Sequence, residues 1–85
     1  MTRKQALKLY TEVCIEVSGE HPRYSKAEEE DIHREIEEIV SAKSDRMAGK
    51  VIAWWGCWDK KITATAFARR IREVWKKESE LENGL

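Results

Sequence analysis

Indole rings and cationic side chains are the groups in this sequence with the most to offer a partner. Trp54, Trp55 and Trp58 fall within five residues, and Trp75 follows in the next apolar segment. An indole brings a large apolar area and one N–H donor, which suits both a core and an interface anchor. At helical spacing with Met47 and Val51, the three clustered indoles read first as core; exposed, Trp54, Trp55 and Trp58 would anchor a protein partner. Downstream, Lys60, Lys61, Thr65, Arg69, Arg72 and Lys76 form a second constellation. In a helix-turn-helix arrangement Thr65, Arg69, Arg72 and Lys76 would face duplex DNA, while Lys60 and Lys61 reach phosphates from the turn. The pattern is unspecific, because any amphipathic helix rich in Arg and Lys produces it, and the turn lacks the glycine often found there.

Catalytic chemistry has thinner support. Glu29 with His33, and His33 with Glu37, stand at i, i+4 and would set a carboxylate beside an imidazole, as in a general acid–base couple. No nucleophile, phosphate loop or metal cluster accompanies them, so His33 reads as a surface histidine among glutamates. The acidic run from Glu28 to Glu38 would need carboxylates from a second helix to hold a divalent cation, and no other segment supplies them. Cys57 has no base at useful spacing. Cys14 and Cys57 are too few for a disulfide framework, and with His21 and His33 they give no zinc-ligand spacing. The expectation is a non-enzymatic chain with no cofactor and no metal.

The elements that must position these groups are helical. Thr2 followed by Gln5 fits a capping box. Ala6, Tyr10, Val13, Cys14 and Val17 then share one arc of a helix over 3–18, widened by Leu7 and Leu9, with Ile15 on the opposite side. Gly19 supplies a stop, and Pro22 biases His21 away from helical geometry. Ser25 and Glu28 make a second capping box, and Glu28 to Asp31 fill the positive end of the helix dipole. The narrow stripe Ile32, Ile36, Ile39 and Val40 predicts a helix over 26–42, its remaining surface charged. Ser44 caps a third helix over 45–58, and Thr63 a fourth over 64–80 with Ala64, Phe67, Ala68, Ile71, Val74 and Trp75 facing inward. Residues 81–85 read as a frayed tail. The alternative is α+β: the β-branched segments 13–17 and 51–55 would pair as a short two-stranded ribbon.

Length and charge set the frame. A chain of 85 residues supports a single domain, 1–85, with one modest core. At 41% apolar and 38% charged it is rich in charge yet able to fold. The net charge of zero conceals segregation: residues 1–26 balance to +2, 27–45 to −6, 46–77 to +7 and 78–85 to −3. No stretch is apolar and long enough to span a bilayer, and no apolar run follows the charged start Met1–Gln5 as in a secretory signal. A cytoplasmic location is the expectation. Short, charge-rich and Trp-containing, the chain is similar in style to small accessory proteins of phages and other mobile elements, though no motif carries that likeness. The fold expected is an all-α bundle of four helices, in an up-and-down or orthogonal arrangement. The function expected is a protein-interaction module that uses its Trp-bearing or acidic-helix surface to bind a protein partner, or that self-associates. A DNA-binding accessory protein using the basic last helix is the alternative. Zero net charge and the acidic second segment oppose close approach to a polyanion.

Overall fold

A computed structural model of the chain describes residues 1–52 and 63–83. Among them are four α-helices and no strand: α1 (Arg3–Ser18), α2 (Lys26–Ser41), α3 (Asp45–Val51) and α4 (Ala64–Asn83). The expected all-α bundle is the architecture observed. Segment 13–17 lies inside α1, so it cannot supply a strand of the alternative ribbon. Residues 53–58, the remainder of the expected third helix, lie outside the described residues, as do the turn lysines.

Each helix begins where a hydroxyl can replace a missing backbone partner. Thr2 Oγ1 accepts from Gln5 N at 3.1 Å, and Thr2 N donates to Gln5 Oε1 at 2.8 Å, closing the reciprocal box. Ser25 Oγ accepts from Glu28 N, but the Glu28 carboxylate takes the Ser25 hydroxyl instead of its backbone amide. Ser44 Oγ accepts from Met47 N at 3.2 Å, and Thr63 Oγ1 from Ala66 N at 3.1 Å. At the end of α1, Gly19 takes φ 76° and donates to Ile15 O at 2.7 Å. That left-handed turn is open to glycine without the Cβ clash other residues meet. α2 closes one residue earlier than the expected boundary, at Ser41, and α4 runs three residues further, to Asn83.

One arc of every helix enters a single core. Ala6, Leu9, Tyr10, Val13 and Cys14 of α1 meet Ile32, Ile36 and Ile39 of α2, Ala48 and Ile52 of the α3 end, and Phe67, Ala68 and Ile71 of α4. Helical rotation explains why Cys14 is 1% exposed while its neighbour Ile15 is 43% exposed. The linker between α1 and α2 is held by Tyr24, whose ring lies 6.0 Å from that of Tyr10 and whose hydroxyl pairs with Thr11 Oγ1. Glu35 departs from the expected charged surface of α2, for it is buried. It sits three residues after Ile32 and four before Ile39, on the flank of the isoleucine stripe. No buried side-chain oxygen or nitrogen among the described residues lacks a hydrogen-bond partner.

α3 and α4 approach closely at Gly49. A Cβ placed on Gly49 would lie 2.9 Å from Thr65 Cα and 2.9 Å from Thr65 Oγ1. Backbone cannot yield as a flexible side chain does, so the missing side chain sets the spacing of these helices. Gly49→Ala is therefore expected to lower the urea unfolding midpoint. Overpacking costs about 1–3 kcal/mol, against at most about 1 kcal/mol gained in helix propensity. An unchanged or raised midpoint would show that α3 and α4 separate here without loss.

Candidate interaction groove

The last three helices converge on an open groove of about 730 Å³. Val40 near the end of α2 and Trp75 of α4, both half-buried, form its apolar part. Charged side chains border it: Asp45 from the first turn of α3, and Arg69, Arg72, Glu73, Lys76 and Glu80 from α4. The α4 residues recur every three or four positions because that spacing returns a helix to the same side.

Two cations of the groove are held by the chain's own carboxylate. Arg69 Nε donates to Asp45 Oδ2 at 2.9 Å, and Arg72 Nη1 donates to Asp45 Oδ1. Arg72 Nη2 reaches back to Ala42 O at 2.9 Å, the carbonyl of the residue that ends α2. The Arg72 guanidinium thus ties the α2–α3 corner to α4 with both of its outer nitrogens. The hydrogen bond from Arg69, with the Arg72 and Arg69 charges beside it, holds the Asp45 carboxyl below its ordinary range. On the neighbouring face of α4, Arg70 makes a bidentate pair with Glu16 of α1, at 2.7 and 2.8 Å. The Arg70 hydrogen bond lowers the Glu16 pKa, and Glu16 in turn raises that of Arg70.

The candidate residues separate accordingly. Arg69, Arg72 and Lys76 share the groove, as the helical spacing requires. Thr65 is half-buried against Gly49 at the α3–α4 contact, away from the groove lining. Trp54, Trp55, Trp58, Lys60 and Lys61 lie outside the described residues. His33 Nε2 stands 3.0 Å from Met1 O and 3.1 Å from Glu37 Oε1, with the Met1 ammonium 3.4 Å from the same oxygen. Among the described residues no cluster of His, Cys, Asp and Glu could hold a metal ion. The sequence points to the arginines but not to Asp45 as their partner, nor to Val40 and Trp75 as groove residues. The i, i+3 pairing of Arg69 with Arg72 was a usable signal; the position of Asp45 opposite them was not in the sequence.

Both carboxylates with lowered pKa contribute stability that is present above the unfolded carboxylate pKa of about 4 and lost as pH falls through the lower folded values. Urea midpoints are thus expected to fall on acidification below about pH 4, and to fall less in Asp45→Asn, which has no proton to take up at that position. At neutral pH, Arg72→Ala should cost about 1–3 kcal/mol, since it removes charge-assisted bonds to Asp45 and a backbone carbonyl. Arg69→Ala, with a more exposed side chain, should cost less than about 1 kcal/mol. Equal losses in the two variants would contradict the corner role of Arg72. Comparison with protein-family models, curated proteins and solved structures finds no match to this chain.

Proposed function

We propose that this chain is a small non-enzymatic interaction module, and that the groove between the end of α2 and α4 is its docking surface. The observation that carries this reading is the use made of Arg69 and Arg72. A DNA-reading helix needs those guanidinium groups directed at phosphates and base edges. Here Arg72 commits both outer nitrogens, to Asp45 and to Ala42 O, and Arg69 is turned toward Asp45 by its Nε. Releasing them to a duplex would leave Asp45 facing a polyanion and would undo the α2–α3 corner.

The groove is suited to a protein surface. An apolar strip bordered by charges of both signs is the composition of an interface with an apolar centre and a polar rim. Its bordering charges are evenly matched, three basic and three acidic, which gives no net attraction to a phosphate backbone. The non-enzymatic part of this reading rests on the sequence, where no nucleophile, phosphate loop or metal cluster accompanies His33 and its neighbouring glutamates. We place the module in the cytoplasm on cysteine usage alone, two cysteines being too few for a disulfide framework. No helix among the described residues is long and apolar enough to cross a membrane.

The test is a fluorescence titration with a mixed-sequence duplex at about 50 and 200 mM salt, where phosphate-driven affinity changes steeply. No binding at the lower salt is expected. A complex that weakens steeply with salt and is lost in the double variant Arg69→Ala/Arg72→Ala would overturn this reading in favour of the DNA-binding alternative.

A further inference from the structure

The exposed edge of the groove carries a charge pattern with a symmetry of its own. Arg69, Glu73, Lys76 and Glu80 are all exposed, and they alternate in sign along α4. At about 100° of rotation per residue, all four lie within about 60° of one another around the helix. They also stand symmetrically about a point between Val74 and Trp75: Arg69 and Glu80 lie about 8 Å to either side, Glu73 and Lys76 about 2 Å. Reversing the stripe about that point exchanges every charge for its opposite. Laid antiparallel on a second copy of itself, Arg69 meets Glu80 and Glu73 meets Lys76, each pair occurring twice across the two-fold axis.

Among the described residues, two of these charges are unpaired and two are held only in part. Neighbours at this spacing could have closed ion pairs within the helix, yet Lys76 and Glu80 have no ion-pair partner among the described residues. Glu73 is held loosely by Arg70 at 3.6 Å, and Arg69 gives Asp45 its Nε, with a side chain that remains 59% exposed. Val40 and Trp75 provide an apolar margin beside the stripe. A net charge of zero removes the long-range repulsion that would otherwise keep copies apart.

We infer that the partner of the groove edge is a second copy of this chain, joined through an antiparallel α4–α4 seam centred between Val74 and Trp75. This rests on the interaction reading above and names its partner. Four ion pairs and a modest apolar margin make a weak, salt-sensitive dimer.

Sedimentation equilibrium of the full chain from about 10 µM to about 1 mM covers the affinity such a seam would give. A monomer–dimer equilibrium that shifts toward monomer with added salt is expected. Lys76→Glu turns two of the four pairs repulsive and should weaken the dimer about tenfold or more. Glu73→Lys/Lys76→Glu exchanges the inner pair, keeps the stripe self-complementary and should restore the dimer. Glu73 and Lys76 are exposed and hold no part of the corner at Asp45, so circular dichroism should show both variants folded. A monomer throughout the range, or a dimer indifferent to Lys76→Glu, would overturn the inference. Failure here is distinct from failure of the interaction reading, which falls on steep, arginine-dependent duplex binding. A monomer that also ignores DNA would leave the groove to a different protein partner.

Discussion

The corner at Asp45 governs how this bundle is put together. Between the end of α2 and the start of α3 the chain has three residues in which to reverse, Ala42 to Ser44. A helix of seven residues such as α3 is too short to be stable by its own hydrogen bonds. It persists because Asp45, in its first turn, is clamped by Arg69 and Arg72, while Ala48, Gly49 and Ile52 close onto α4. An isolated exposed ion pair would add little. This one is worth more, because Arg72 is only 25% exposed and spends its other nitrogen on a backbone carbonyl that α2 leaves unsatisfied.

The same corner decides what the basic helix has left to give. In sequence, a −6 segment precedes a +7 segment, which reads as a dipole open to partners. Folding cancels part of it internally, since Asp45 of the first segment takes two arginines of the second. Successive residues of α4 then go to different places by helical rotation alone: Arg69 and Arg72 to α3, Arg70 to Glu16 of α1. Arg69, which gives Asp45 only its Nε, still forms with Glu73, Lys76 and Glu80 an exposed edge of α4 that is of mixed sign and not cationic.

Much of this fold is legible in the residues. Thr2, Ser25, Ser44 and Thr63 each bond the amide three positions on, because a hydroxyl before a helix is the nearest acceptor for an orphan N–H. Gly19 ends α1 as its φ freedom allows. The isoleucine stripe of α2 and the Phe67–Ile71 arc of α4 are buried as their spacing requires. Glu35 was not legible, since its type argues for solvent while its position on the stripe flank argues for the core, and position wins. Nor was the role of Gly49, which inside a helix reads as a mild defect until Thr65 is placed against it.

Local chemistry by itself determined the number and type of helices, their starting residues and the apolar arc each buries. These follow from hydrogen bonds spanning three or four residues and from a fixed rotation per residue. The tertiary structure alone decided which charges meet. Asp45 and Arg72 are 27 positions apart, and Glu16 and Arg70 are 54 apart. No sequence period encodes such a distance. Only when the helices pack does it emerge that the three arginines of α4 divide between Asp45 and Glu16, and that an edge of alternating charge faces outward.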